Sequence, residues 1–510
     1  VIAMLEANDD EDVYLRQAGA IALARMGDAE TLGNLETHAS EAVRIAAVVA
    51  LKRLQSPELA RFLDDASEFV VTNAARGISD DHYVDAALPA LAELLATTEF
   101  TNEPLLRRLI NANLYVGGDA SVERLLGFAQ RDDIDGVLRA EALHTLSVWP
   151  ESSAFDRVTG RHRGVVSHPS EQASEPLMAL SAELLQDRSP EVRAATASAL
   201  AMLNIEGASD ALAATLKDDA SPMVRAAALE ALFTLDYPDM GQAALTATND
   251  ADTDVRMAAL ALLPKLDLPT EEVVELHRVL LNNGSLPEQQ AAYRSLANVD
   301  HASAHALLDE SLAALRSGEL PAAVQLDVIE AAQATGNETL IAELEAYEAS
   351  KNRNKPLEVY REALEGGDPN AGMNLFRYSN SAQCIRCHMV GHRGARVGPE
   401  LTAIGDQLSR RQLLEALVDP GARVPAGHGR VSVTLDNGQT VSGFFEAESQ
   451  DSMTIVDGEE RIEVAKAEVV STEYSGSGMP PMGQLLNRSQ LRDIVAYLVT
   501  LPTEEEAEGH

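Results

Sequence analysis

Apolar residues return with a helical period along the first two thirds of the chain. A clear stretch has this spacing at Val224, Ala227, Ala228, Ala231, Leu232 and Leu235. A second apolar helix is expected between such stretches, for example over Ala208 to Leu216. A helix pair of this kind cannot bury its apolar face alone, whereas stacked neighbours bury it together. The pattern therefore predicts a helical repeat array over residues 1–348 and a mainly α protein.

A short phrase opens each repeat: an acid or proline, then Val-Arg, then small residues and a leucine. The arginines of the three clearest copies, Arg193, Arg225 and Arg256, stand 32 and 31 residues apart. Ser or Asp before the phrase caps a helix, and proline fits its first turn. The phrase resembles HEAT repeats of a short bacterial kind; tetratricopeptide repeats are the alternative, but their signature is absent. We expect each arginine to pair with an acid of the neighbouring repeat.

The period changes to two in the last quarter of the chain. Val431, Val433 and Leu435 alternate with polar residues, and Asp436-Asn437-Gly438 is a strong hairpin signal. Further short alternating runs follow. The pattern predicts a small SH3-like β-barrel over residues 428–474, whose role could be a docking surface, a lid or an inert insertion.

The β-module interrupts a second helical domain. Asp368-Pro369 caps the first helix of that domain, and Asn487 with Gln490 forms a capping box at the last one. The predicted divisions are a linker (349–366), an all-α domain in two parts (367–427 and 475–502) and an acidic tail (503–510).

Chain length, aromatic content and net charge limit the architectures and functions that the chain can have. A chain of 510 residues is too long for one core, and aromatic residues make up only 4 %, which favours Ala/Leu-packed helices. The net charge of −40 excludes general affinity for nucleic acid. This negative charge is typical of a well-solvated surface, or it could steer the protein electrostatically towards a basic redox partner. No apolar run is long enough to span a bilayer. Because the chain begins without Met inside a predicted helix, we expect a longer protein with a targeting segment upstream.

The only two cysteines lie in Cys384-Ile385-Arg386-Cys387-His388, the attachment pattern for c-type haem. Two thiols one turn apart can add to the two vinyl groups, and the next residue, His388, then supplies an axial nitrogen. Structural zinc is the alternative. It requires four protein ligands, and only His392 could join these three.

The remaining site residues are predicted from class I cytochromes c, which this region resembles. Pro399 stands where those proteins use a proline carbonyl to accept the Nδ1 proton of the haem histidine. The sixth ligand is expected at Met479, with Met482 as a packing residue or the second choice. His428 could give a bis-His haem, but we interpret it as an exposed loop residue.

Two further expectations concern the haem surroundings. Arg396, with Arg393, is expected to pair with the haem propionates, although a solvated role would fit as well. The first and last helices are expected to cross at a Gly/aromatic contact, with Gly372 and Phe376 facing Tyr497.

The combination of parts resembles the membrane-bound dehydrogenases of the PVC type and their relatives. The resemblance is carried by Val71–Arg76, by Ile110–Asn113, and by the stretch from Gly372 to Leu501 with Met479-Pro480-Pro481-Met482. It implies one covalent haem c, held by Cys384, Cys387 and His388 with Met479. In that family an N-terminal propeller carries the dehydrogenase chemistry. No such part is present here, so no catalytic residue is assigned.

These inferences predict an electron-transfer module on a helical scaffold. Electrons would arrive from a dehydrogenase domain or subunit and leave for a respiratory acceptor, in the periplasm or at the cell surface. The alternative is a HEAT-repeat scaffold that binds a protein partner and carries the haem as a sensor. A haem peroxidase is a weaker alternative, since it normally needs a second haem motif.

Overall fold

The structure is a computed structural model, and it describes residues 1–501. The chain forms two compact units, Val1–Leu266 and the residues from Asp267 onward. The division falls inside the predicted array and not at the predicted linker. The predicted acidic tail, 503–510, lies outside the described residues. Among the described helices, none combines the length and the apolar character that a membrane crossing requires.

The first unit is built from short helices that begin at polar caps. Ser189 and Asp252 accept backbone N–H bonds at the starts of two of them, as the repeated phrase predicts. The α-helices described in this unit are α1 (Ile2–Asn8), α2 (Val13–Met26), α3 (Ala29–Gly33), α4 (Glu41–Leu54), α5 (Glu68–Ser79), α6 (Leu88–Glu93), α7 (Glu103–Val116), α8 (Asp119–Ala129), α9 (Gly136–Ser147), α10 (Glu171–Leu184), α11 (Pro190–Met202), α12 (Ser209–Asp218), α13 (Pro222–Thr234), α14 (Met240–Ala247) and α15 (Thr253–Leu262).

The repeated arginines connect one repeat to the next. Arg193 binds both carboxylate oxygens of Asp219, at 2.7 and 2.8 Å, and Arg225 binds both of Asp250, at 2.8 and 2.6 Å. Each guanidinium also donates to a carbonyl in the loop before its own helix. The predicted pairing of these arginines with an acid of the neighbouring repeat is confirmed. The bidentate geometry indicates that the ion pairs have a structural role between repeats.

The second unit begins with five further helices and continues into shorter ones. Val274, Leu308, Val328 and Leu340 share a core among the first five. The α-helices described in this unit are α16 (Thr270–Asn283), α17 (Leu286–Leu296), α18 (Ala302–Ser317), α19 (Gln325–Ala334), α20 (Glu338–Ala349), α21 (Pro356–Val359), α22 (Pro369–Tyr378), α23 (Ile404–Gln407), α24 (Arg410–Val418) and α25 (Arg488–Leu498).

The segment predicted as a linker, 349–366, is partly packed into the second unit, although residues 352–355 are exposed. The Lys351 ammonium is buried and lies 2.8 Å from the Glu362 carboxylate, which is buried as well. Tyr360 donates a hydrogen bond to the carbonyl of Gly483, at 2.8 Å. Although the segment has a polar composition, the ammonium of Lys351 and the carboxylate of Glu362 neutralise each other inside the unit.

The β-structure follows the alternating pattern. A two-stranded ribbon, β1 (Met389–Val390) and β2 (Arg393–Gly394), precedes a five-stranded antiparallel sheet of order β6-β5-β4-β3-β7. The strands of the sheet are β3 (Arg430–Leu435), β4 (Thr440–Glu448), β5 (Ser452–Asp457), β6 (Glu460–Ala465) and β7 (Val469–Ser475). The alternating residues Val431, Val433 and Leu435 are buried, so the predicted strands are confirmed. The barrel form stays a prediction.

Candidate haem-attachment site

The two cysteines lie on a single helical turn. Cys384–Arg386 forms a one-turn 3-10 helix, in which the N–H of Cys387 donates to the Cys384 carbonyl at 3.1 Å. The His388 N–H donates to the same carbonyl at 2.9 Å. Both cysteines are free thiols; Cys384 is half-buried and Cys387 is exposed. Burial raises the pKa of the Cys384 thiol to about 11. The turn thus presents two thiols and an imidazole from neighbouring positions.

The imidazole of His388 is held in one orientation. Its Nδ1 lies 2.8 Å from the carbonyl oxygen of Pro399, which can only accept, so Nδ1 carries the proton and Nε2 keeps its lone pair. Burial lowers the pKa of His388, the bond to Pro399 opposes this, and the charge of His428 adds to the lowering. A neutral ring with a free, fixed Nε2 is the form that binds a metal.

The loop between His388 and Pro399 is shaped to bring the two together. β1 and β2 pair Met389 with Gly394, and a β-carbon at Gly394 would overlap the His388 carbonyl oxygen. At Gly398 a β-carbon would lie 2.7 Å from the His388 ring. Gly394 is therefore required by the close approach of the loop to the His388 backbone, and Gly398 by its approach to the imidazole.

The first and last helices of this region cross at the predicted contact. A β-carbon at Gly372 would overlap the backbone carbonyl oxygen of Asp493, so α22 and α25 approach backbone to backbone. The rings of Phe376 and Tyr497 lie 5.6 Å apart between centroids. This contact is confirmed. The surrounding core includes Leu491 and Ile494 and extends to the half-buried Cys384.

The two candidate methionines differ in burial. Met482 is 3 % exposed and lies inside the core, as expected for a packing residue. Met479 is half-buried and packs against the same core as Cys384. The bond from Tyr360 to Gly483 fixes the loop that carries both. Ligation by Met479 stays a prediction.

His428 lies closer to the site than the sequence suggested. It is half-buried rather than exposed, and its charge acts on His388. The cause is the sheet: Arg430, two residues later, pairs with Ser475 at the end of β7. The chain thus enters the module through β3 and leaves it through the adjacent β7, so His428 and the Met479 loop start from the same end of the sheet. Arg396 is exposed with its Nε 3.4 Å from the Met389 sulfur, and its pairing with a propionate stays a prediction.

A buried ion pair beside the site was not predicted from the sequence. Arg492 on α25 lies 2.7 Å from Asp327 on α19, and both side chains are buried. The signal available in the sequence was an arginine between Leu491 and Ile494, inside an apolar helix face.

Comparisons with known proteins bear on the helical part. Residues 177–264 match the family model described as HEAT repeats. Together with the helix pairs of the first unit, the match identifies a HEAT-like helical scaffold and favours HEAT over tetratricopeptide repeats there. No curated protein matches the chain.

Two solved structures are similar at low identity. The YibA protein of Escherichia coli is 19 % identical over 60 % of this chain and 91 % of its own, with a TM-score of 0.32. The complex of CpcE and CpcF of phycocyanin lyase from Nostoc sp. PCC7120 is 18 % identical over 50 % and 92 %, with a TM-score of 0.27.

Proposed function

We propose that the region from Asp368 to Leu501 carries one covalent haem c and serves electron transfer. The observation that supports it best is the bond from His388 Nδ1 to the Pro399 carbonyl. This bond fixes the ring with Nε2 free, directly after two thiols on one turn. Zinc fits less well, because structural zinc sites need four protein ligands.

Each residue of the site has a distinct part in this proposal. Cys384 and Cys387 would hold the porphyrin through thioether bonds, and His388 would bind the iron through Nε2. Met479 would supply a second iron ligand through its thioether. Bound there, the haem would gain and release single electrons. The apolar core behind Cys384 excludes water from one side of the site.

The electron partners belong to the proposal as well. We infer a dehydrogenase domain or subunit as donor and a respiratory carrier as acceptor, outside the cytoplasm where c-type haem is attached. The resemblance to PVC-type dehydrogenases supports this inference. The HEAT-like scaffold would then hold a protein partner.

Haem attachment is tested by secretion of the chain into the periplasm of a host that contains the haem-maturation machinery. We expect a band of correct mass that stains for haem on a denaturing gel, since a thioether bond survives denaturation. Cys384→Ala/Cys387→Ala should give an unstained band of the same chain. An unstained wild-type band at full expression would reject the proposal.

The sixth ligand is tested by the reduction potential. Met479→Ala should lower the potential strongly, because His/Met ligation raises it and the thioether is lost. Met482→Ala should destabilise the fold by about 2–5 kcal/mol, the usual cost of emptying a buried Met site, with little effect on the potential. The opposite result, a large potential shift in Met482→Ala alone, would transfer the ligand role to Met482.

A scaffold with a haem sensor is the second candidate, and the HEAT match over 177–264 favours it. Carbon monoxide separates the two. A sensor with an open iron position should shift its reduced spectrum on addition of the gas, whereas a carrier with two protein ligands should not.

A further inference from the structure

The haem-attachment segment has a charge opposite to that of the rest of the chain. Residues 369–399 contain four arginines and neither Asp nor Glu, in a chain with 80 acidic and 40 basic residues. A run of 31 residues without an acid is therefore a local reversal of sign.

Three of these arginines form an exposed surface beside the haem motif, here called the arginine surface: Arg386, Arg393 and Arg396. Arg386 donates to the side chain of Gln383, and Arg396 contacts the Met389 sulfur. Within residues 1–501, no carboxylate lies at ion-pair distance from any of the three. No carboxylate of the described chain therefore neutralises these charges. The predicted haem propionates would take up part of the charge of Arg393 and Arg396, so Arg386 is the residue of this surface that the experiments below change.

An apolar side chain lies within this surface. Val397 is 71 % exposed, and its backbone N–H donates to the carbonyl of Cys387 at 3.1 Å. The N–H of Ala395 likewise donates to Ile385. Backbone hydrogen bonds therefore join this loop to the attachment motif, and they place the exposed Val397 beside Cys387. Exposed apolar residues flanked by arginine are typical of protein interfaces.

We propose that the arginine surface is the docking site of an acidic electron-transfer protein. The proposal rests on the haem function proposed above and specifies its partner. It differs from what the net charge of −40 suggests, which is a basic partner. The local charges decide at contact, since the screening length is about 10 Å at 0.1 M salt and about 3 Å at 1 M. Glu400, which directly follows the acid-free run and is exposed, is the acid nearest to the surface in sequence. A docked partner is then influenced by the three arginines and this one glutamate more than by the acids farther than a screening length away.

The sign of the local field is measured with two small oxidants of opposite charge. Stopped-flow mixing of the reduced holoprotein with hexacyanoferrate(III) transfers one electron, which yields ferric haem and hexacyanoferrate(II). Between about 0.1 and 1 M salt we expect this rate to fall, because attraction to the arginine surface is screened. The rate with tris(phenanthroline)cobalt(III), a trication, should rise or stay constant. A hexacyanoferrate(III) rate that rises with salt would overturn the proposal.

A charge-reversal variant tests whether the local electrostatic field arises from the arginine surface. Arg386→Glu should slow the reaction with hexacyanoferrate(III) about fivefold at 0.1 M salt, from Coulomb's law at about 10 Å with screening. Arg411→Glu is the matched control, since Arg411 is exposed on α24 and the change in net charge is the same. Equal slowing in both variants would indicate a global field and reject the docking site.

A binding measurement avoids redox activity altogether. Hexacyanochromate(III) is a redox-inert paramagnetic trianion, and it should broaden the NMR signals of the haem methyl groups in the wild type and much less in Arg386→Glu. No broadening in either protein would overturn the proposal. If removal of residues 502–510 strengthens the broadening, the chain's own acidic tail occupies the surface, and an external partner is rejected.

These outcomes are separable from failure of the haem function. The haem stain and the optical spectrum report attachment before any salt series begins. A stained protein without the expected salt dependence disproves only the docking site.

Discussion

Asp327→Ala should lower the free energy of unfolding of the second unit by about 3–5 kcal/mol. Arg492 and Asp327 are 5 % and 3 % exposed, and the guanidinium Nη1 lies 2.7 Å from the carboxylate. Removal of the acid leaves a buried positive charge beside α19 without its closest partner. The Nε atom of Arg492 is already buried without a hydrogen bond, so loss of Asp327 adds further unpaired donors to the same buried guanidinium.

Chemical denaturation followed by circular dichroism measures this loss. Glu345→Ala is the control: Glu345 is exposed on α20, and its removal should change stability by less than about 0.5 kcal/mol. Asp327→Ala/Arg492→Met should regain much of the loss, because an apolar pair replaces the buried ions at little cost. If Asp327→Ala unfolds like the wild type, the ion pair is not closed in solution.

This ion pair lies across the domain boundary that was predicted near residue 349. α25 belongs to the haem-attachment region and α19 to the predicted array, yet their charges meet in a buried contact. Arg488 on α25 also binds both carboxylate oxygens of Glu348, at 2.6 and 2.8 Å. The last helices of the predicted array are thus part of the second unit.

The features predicted correctly from the sequence are those fixed by neighbouring residues. The capping box at Asn487 and Gln490, the Asn437-Gly438 hairpin and the Cys384 turn each depend on a few adjacent positions. The repeated arginines are an intermediate case. Their partners lie one repeat away, so the period itself predicted the pairing.

Contacts between distant positions were not predictable in this way. Arg492 and Asp327 are 165 residues apart, and each is an ordinary charged residue in its own segment. The stretch that contains Lys351 has the polar composition of a linker, but within the fold the charge of Lys351 is neutralised by the buried carboxylate of Glu362. His428 was assigned to an exposed loop, because the sheet that returns it to the site is itself a long-range structure. Periodicity cannot show which distant charges meet.

Gly372→Ala should destabilise the second unit by about 3 kcal/mol, near the upper end for overpacked sites. Helix propensity alone predicts the opposite, since alanine is favoured over glycine by about 1 kcal/mol inside a helix. At Gly372 the added β-carbon would overlap the carbonyl oxygen of Asp493, a backbone atom that no rotamer change can move. The cost of the steric overlap is therefore expected to exceed the gain in helix propensity, because α22 and α25 must move apart to accommodate the methyl group.

Gly127→Ala is the matched control with the opposite sign. Gly127 also lies within a helix, α8, but it is exposed and a β-carbon there meets nothing within 4 Å. This substitution should stabilise the first unit by about 0.5–1 kcal/mol through helix propensity alone. Denaturation curves that resolve the two units would show opposite shifts for the two variants. If Gly372→Ala also stabilised its unit, the two helices would not cross as closely as described, and the core behind Cys384 would have to be packed differently.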